Sequence, residues 1–487
     1  MKTGVQRIDN YLKELDSGFR RNDEKTRITT FYEFITYKSF NKEGIDMKKE
    51  DKEGLSRRDF LQGTIIGTAA LGMGGFAGKT AFAQSKGPLK IGVAISLTGA
   101  WAREGELEVG GYKLWGKVIN ERGCTFGEVE KLGCPGPGLL GRQVEFVVYD
   151  DKSDPSEAIK LIRKLVVSDK VDLILGPYGS AVSNAIAPLA EDYKIPIITP
   201  LANAPVIWEG KKREWFVGVL PPAWKNLYGC LMLGKEKGAK TAAFIYSDTA
   251  FPIGATRPLV IKAKEMGMQV VLDEAYPKET ADWEPMMSKA WSQKPDLIIG
   301  GGYLPDSIGL VKAAKAVNAT PKMFGFLVGP SIADFTKSLK GDANYVTGET
   351  FWEPFVKTPG NLDFYTAYLK EYKSEPSYHA AAGFAAGQIL ERAVKEVGNI
   401  EDKKALRDKL YSIKTTTIFG EYEVNPLGHP DSGWQVGKTT NLIQWQKAEG
   451  RRLLPNQVAI EGMAKQIVFP AGIKTADVIF PFPGWGK

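Results

Sequence analysis

The chain is poor in the residues that most enzyme and metal chemistry requires. Of its 487 residues only two are histidine, His379 and His429, and three are cysteine. So few imidazoles leave little for His-based catalysis or a His-rich metal site. Three thiols make neither a disulfide scaffold nor a zinc site of four cysteines. No metal is expected. Long apolar runs are also scarce. One uncharged stretch, residues 60–78, stands out, and that excludes a polytopic membrane protein. Charge of one sign is lacking too. The net charge is +7, and residues 1–83 carry fifteen Lys and Arg against twelve acids, so only about +4 is spread over the remainder. That field is too weak for nucleic-acid binding.

What is present is an ordinary globular composition, 43% hydrophobic and 25% charged, which excludes wholesale disorder. The length calls for two or more domains. Apolar runs alternate with helical spacing. Residues 89–97, 144–149, 171–175 and 195–199 read as strands, and 105–120, 155–168 and 180–193 as the helices between them. The rhythm then restarts with strands at 241–246, 269–275, 296–299 and 323–326 and helices at 253–266, 282–291 and 306–316. Later helices read at 362–373, 377–397 and 402–413, before a Gly-, Pro- and aromatic-rich tail with a strand at 442–446. The pattern predicts an α/β protein of two successive lobes, each a parallel sheet covered by helices. Ligands of such sheets bind beyond the carboxyl ends of strands, near helix N-termini.

The N-terminal region reads as an address. Arg57 and Arg58 precede Phe60 and Leu61, a Gly-rich uncharged run follows, and Ala81-Phe82-Ala83 ends it as a small-x-small cleavage site. This order resembles a twin-arginine export signal spanning residues 47–83, with Gln62 where that pattern often has lysine. Met47 is the more natural start, and residues 1–46 read as an upstream or disordered extension. With no cysteine near Ala83, a lipid anchor is not expected. The mature chain would be free in the periplasm, delivered by the twin-arginine translocase. The bland alternative is a short buried helix after a basic loop. No motif for haem, iron–sulfur, molybdenum or flavin is found, so no cofactor is expected.

The loops of the mature part carry a resemblance. Ile91-Gly92-Val93-Ala94-Ile95-Ser96-Leu97-Thr98-Gly99 comes first, then Tyr149-Asp150-Asp151-Lys152-Ser153-Asp154-Pro155 and Gly176-Pro177-Tyr178-Gly179-Ser180. Ile195-Pro196-Ile197-Ile198-Thr199-Pro200, Ser377-Tyr378-His379-Ala380-Ala381 and Thr417-Ile418-Phe419-Gly420 follow. From about residue 88 to the end, their order and spacing resemble the leucine/isoleucine/valine-binding type of ABC-transporter substrate-binding proteins. That resemblance implies the periplasmic binding protein type I fold: two Rossmann-like lobes, a three-crossing hinge and a ligand cleft between. One lobe would hold residues 88–220 plus 350–438, the other 221–349 plus 439–487. It also implies a monomeric, non-enzymatic receptor for a small solute, an amino acid or a related, possibly aromatic, carboxylate. Such a receptor docks on an inner-membrane ABC permease. A sensor module of the same fold is the alternative. A secreted hydrolase is a weaker one, since no Gly-x-Ser-x-Gly elbow occurs.

Carried over residue by residue, Ser180 would bind the solute carboxylate; as a plain N-cap it would serve structure alone. Leu201, Ala202 and Asn203 would lie at the pocket, or else form a structural turn. Trp101, Tyr178, Phe251 and Tyr303 would line the cleft with aromatic surface. The family's amino-acid binders place an acid after the strand at 323–326. Here the loop is Gly329-Pro330-Ser331, and the nearest acid in sequence is Asp334, on the following helix. A buried ammonium without a carboxylate is costly, which puts an α-amino acid in doubt. Asp248 is expected in a loop turn. Asp150, Asp151 and Asp154 read as a turn and N-cap before Pro155 rather than metal ligands. Cys124 and Cys134 flank an insertion and would pair in an oxidising compartment, leaving Cys230 buried.

Overall fold

The computed structural model describes residues 87–486 except Arg452, Pro455, Asn456 and Val458. The extension at 1–46 and the export signal with Arg57, Arg58 and Ala83 lie outside the described residues.

Five strands form the first sheet: β1 (Leu89–Ile95), β2 (Val144–Asp150), β3 (Leu173–Leu175), β4 (Ile197–Thr199) and β5 (Phe216–Gly218). All neighbouring pairs are parallel, in the order β2-β1-β3-β4-β5. Helices α1 (Ala102–Arg122), α2 (Pro155–Val167) and α3 (Ser180–Tyr193) make the crossovers. The second sheet repeats this plan. Strands β6 (Thr241–Ser247), β7 (Gln269–Tyr276), β8 (Leu297–Gly301), β9 (Met323–Phe326) and β10 (Thr347–Thr350) run parallel in the order β7-β6-β8-β9-β10. Helices α4 (Tyr228–Glu236), α5 (Ala250–Glu265), α6 (Glu284–Ser292), α7 (Leu304–Ala316) and α8 (Ala333–Leu339) belong to it. After α9 (Asn361–Tyr372), α10 (Tyr378–Val397) and α11 (Lys403–Ser412) comes a ribbon, β11 (Thr415–Thr417) with β12 (Gly420–Tyr422). Finally β13 (Asn441–Lys447) and β14 (Met463–Phe469) extend the second sheet antiparallel from β10. The chain therefore passes between the sheets three times: after β5, after β10 and before β13. Among the described residues no helix is long and apolar enough to cross a membrane.

The element reading of the sequence matches this order, with strands such as 89–97 ending two residues early. It misses β5, β10 and α4; the helix expected to carry Asp334 is α8. β5 is three residues within the apolar run 215–220, which the reading passed over, and β10 reads Thr-Gly-Glu-Thr, with no apolar run. The terminal segment packs on the second sheet: Phe482 is buried against Phe324, and the Trp485 indole donates to the Ala319 carbonyl. Cys124 and Cys134 are joined by a disulfide with Cα atoms 4.9 Å apart, and Cys230 is buried and free.

Glycines set how closely α1 approaches its neighbours. A Cβ on Gly105 would stand 1.9 Å from the Ser96 carbonyl oxygen, so only glycine lets α1 start on the end of β1. A Cβ on Gly111 would lie 2.1 Å from the Ala380 carbonyl oxygen and one on Gly383 2.4 Å from that of Glu108. Helices α1 and α10 thus touch backbone to backbone. Gly111→Ala should destabilise the chain by about 1–3 kcal/mol, because backbone cannot yield and the ~1 kcal/mol of helix propensity gained is smaller. The denaturant midpoint checks this; an unchanged or higher midpoint would refute the packing argument.

Candidate functional site

The carboxyl ends of both parallel sheets meet at one cavity. From the first sheet, Tyr178 and Gly179 follow β3, and Leu201 and Asn203 follow β4. From the second, Phe251 stands in the first turn of α5, Tyr303 follows β8 and Val328 follows β9. Leu220, Asn226 and Tyr378 complete the wall, the first two on the crossing after β5. The enclosed volume is about 10 Å³, room for one water. As the lobes stand, nothing larger than a water fits this space.

Five of the eight residues singled out from the sequence line the cavity: Tyr178, Leu201, Asn203, Phe251 and Tyr303. Trp101 stands behind, buried, with its ring 5.2 Å from that of Tyr303; Phe251 and Tyr178 contact the same ring at 5.9 and 6.1 Å. Ala202 is buried beside the wall. Ser180 starts α3, but its Oγ accepts from the backbone N–H groups of Asn203 (3.2 Å) and Ala204 (3.1 Å). It thereby pins the β4 loop to the α3 N-terminus. The Asn203 amide donates to the Pro221 carbonyl (2.8 Å) and to Asn226 Oδ1 (3.1 Å), which ties that loop to the crossing. Sequence reasoning did not single out Leu220, Asn226 or Val328, which sit in loops without a pattern.

The loop after β1 is held from β2. Asp150 Oδ1 accepts from the N–H groups of Leu97 and Thr98, and Asp151 Oδ1 accepts from Ser96 Oγ (2.7 Å) and the Ser153 N–H. Ser153 Oγ donates to the Thr98 carbonyl and accepts the Trp101 N–H. Asp154 caps α2 through the Ser156 and Glu157 N–H groups. These acids position Trp101, as turn and cap. Asp248 accepts the Lys278 N–H, also a turn role. His379 is fully buried and stacks on Tyr378 at 4.0 Å; Ser377 Oγ accepts its N–H as the cap of α10.

The acids beside the cavity are not the one the sequence pointed to. Asp334 is engaged by Arg103 Nη2 at 2.9 Å across the seam between the sheets. Two other carboxyls stand fully buried against wall residues or their neighbours. Glu104, in the first turn of α1, accepts the Leu304 N–H (3.0 Å) at the start of α7, again across the seam. Burial pushes its pKa up to about 7, moderated by that hydrogen bond. Glu349, on β10, accepts the Val328 N–H (2.8 Å), and burial pushes it up to about 8. Neither acid was legible as a site residue, because what buries them is the meeting of distant segments. Glu104 Oε2, Glu349 Oε2, Asn226 Nδ2 and the Tyr303 hydroxyl are all buried without a hydrogen-bond partner. Such atoms cost free energy unless something else engages them.

A family model described as periplasmic binding protein matches residues 88–441. The leucine-, isoleucine-, valine-, threonine- and alanine-binding protein of Pseudomonas aeruginosa is 23% identical over 379 residues, covering 78% of this chain and 95% of that protein. The branched-chain amino acid transporter substrate binding protein LivJ from Streptococcus pneumoniae, in complex with isoleucine, has a TM-score of 0.63 at 19% identity, covering 79% of this chain and all of that one. A solute binding protein of an R. palustris ABC transporter, in complex with benzoate, has a TM-score of 0.63 at 20% identity, covering 80% and 99%.

Glu104 predicts a pH dependence. Its carboxyl titrates near 4.5 when unfolded and near 7 when folded, so between those values the folded chain holds the extra proton. Its contribution is full below the unfolded value and is lost as pH rises through about 7. The shift corresponds to about 3 kcal/mol. Glu104→Gln keeps an acceptor for Leu304 and carries no charge. The variant should match the parent near pH 4.5 and exceed it by about 1–3 kcal/mol at pH 8 in denaturant titrations. Parallel pH profiles for the two chains would show that Glu104 does not titrate in this range.

Proposed function

The chain belongs to the periplasmic binding protein family, and from that premise we propose that it is the extracytoplasmic solute-binding component of an ABC importer. The proposed cargo is an amino acid or a related carboxylate. The observation that carries this reading is the cavity where the carboxyl ends of both sheets face each other, walled by aromatic rings and holding unpartnered polar atoms. Backbone N–H groups at the start of α3 suit a carboxylate, by hydrogen bonding and by the helix dipole. Phe251, Tyr303 and Tyr178 offer apolar and edge surface to the body of the solute. The lobes, residues 88–220 plus 350–438 and 221–349 plus 439–487, hinge on the three crossings. Capture needs no covalent step, only a shut state that the solute favours by differential contact. We assign the twin-arginine signal at 47–83 to export, and the outer lobe surfaces to docking on a membrane permease.

The relatives leave the head group open between amino acids and aromatic acids. Isothermal titration of the mature chain against both classes should find one site per chain. Tyr303→Ala should weaken the best solute at least tenfold, and Tyr303→Phe less, since the ring remains. A chain that binds nothing in such a panel, or a Tyr303→Ala variant with parental affinity, would refute the cleft as the binding site.

A further inference from the structure

Glu104 belongs to the first lobe, but its surroundings are completed by the second. It stands in the first turn of α1, and the group it accepts from is the Leu304 N–H, 3.0 Å away at the start of α7. The residue is fully buried, and Oε2 makes no hydrogen bond. Parting the lobes would remove its donor and return both oxygens to water. Two other acids that burial pushes up keep their partners through such a motion. Asp151 is bonded to Ser96 and Ser153, on the first sheet's side of the seam, and Glu349 to Val328, on the second's. The titratable groups facing Glu104 come from both sides. Arg103 and Glu108 share α1, Tyr178 follows β3, and Tyr378 and His379 open α10; Asp306 belongs to α7, and Tyr303 follows β8. Burial drives the tyrosine hydroxyls, the Glu108 carboxyl and the His379 ring toward their neutral forms. Asp306, which accepts the Tyr303 N–H, opposes a charge on Glu104. Arg103 is the one cation of this set, and Asp334 already engages it.

We propose that Glu104 makes closure of the cleft proton-coupled: shutting the molecule takes up a proton at this carboxyl, so acidification favours the shut form and tightens the hold on the solute. This rests on the reading of the cleft as the solute site and of the crossings as its hinge. In the open form the carboxyl meets water and ionises in the ordinary range. In the shut form burial raises it to about 7. The advantage of the shut form is therefore full below the ordinary value and is lost as pH rises through about 7. The linkage is reciprocal, so capturing a solute between those two values takes up a proton.

The test titrates the chain calorimetrically with L-isoleucine and with benzoate, whose own charges change little between pH 5.5 and pH 8. Whichever binds should do so at least fivefold more tightly at pH 5.5 than at pH 8. Repeating the titration at pH 6 in two buffers of different ionisation enthalpy should show uptake of about one proton per solute. Glu104→Gln keeps an acceptor for Leu304 and does not titrate. It should bind equally at both pH values, as tightly as the parent does at pH 5.5, with no proton uptake, and a thermal melt checks that it is folded. Small-angle scattering of the solute-free chain should find a more compact particle at pH 5.5 than at pH 8, and a Glu104→Gln variant compact at both. Affinity that is flat with pH in the parent, or a Glu104→Gln variant that keeps the parent's slope, overturns the coupling and leaves the cleft reading standing. Where neither solute binds, equal dimensions of the parent at the two pH values overturn the coupling, whereas a chain that binds no acid of the wider panel overturns the cleft reading.

Discussion

The two lobes meet over carboxyl groups held out of water, and in the proposed cycle that cost governs how firmly the molecule shuts. Glu104 recovers part of it from the Leu304 N–H, at the positive end of α7, but its second oxygen recovers nothing. The Arg103–Asp334 pair crosses the same seam half-exposed, where such pairs contribute about 0–1 kcal/mol. The contact of Trp101, Phe251 and Tyr178 around Tyr303 contributes more, through buried area and ring geometry. The proposed function asks that the shut arrangement be only modestly favoured. A receptor needs this: if closure were strongly favoured on its own, solute could not enter, and if it were strongly disfavoured, binding free energy would be spent on it.

The scaffold on either side of the seam is stiff where it touches the cavity. Asp150 and Asp151 lock the loop before α1 with side-chain bonds rather than leaving it to solvent. Ser180 binds the β4 loop to the α3 N-terminus, and Asn203 binds that loop to the crossing. In the proposed cycle that leaves the three connections as the hinge, with rigid bodies on either side. Rigid walls also reduce the ordering entropy that a solute would otherwise have to offset.

How much of this could be read from the residues depended on the kind of signal. Strands buried on both faces, such as β1 and β9, are near-continuous apolar runs and were legible to within two residues. β10 was not, because Thr-Gly-Glu-Thr looks like a turn until β9 and β13 pair with it. The glycine-led loops at the ends of β1, β3 and β8 pointed to the cleft, and Tyr178 and Tyr303 lie in its wall. The acids were read less well. Asp334 drew attention by being near in sequence, yet it is held by Arg103. Glu104 falls just before the helix read at 105–120 and was not singled out, and its burial comes from the meeting of α1 with α7. Periodicity reports a residue's face on its own element, so burial created between elements leaves no trace in it.

Affinity and selectivity have separate sources in such a site. Burying an apolar body against Leu201, Leu220, Val328 and the aromatic rings is worth roughly 25 cal/mol per Å². That gain barely distinguishes one hydrocarbon shape from another, because a methylene changes it by about 1 kcal/mol. Polar atoms with no water to fall back on discriminate far more sharply, since a wrong head group leaves both itself and its buried partner unsatisfied. On the proposed reading, unpartnered polar atoms of the wall such as the Tyr303 hydroxyl decide which cargo is taken, while the aromatic rings decide how tightly it is held.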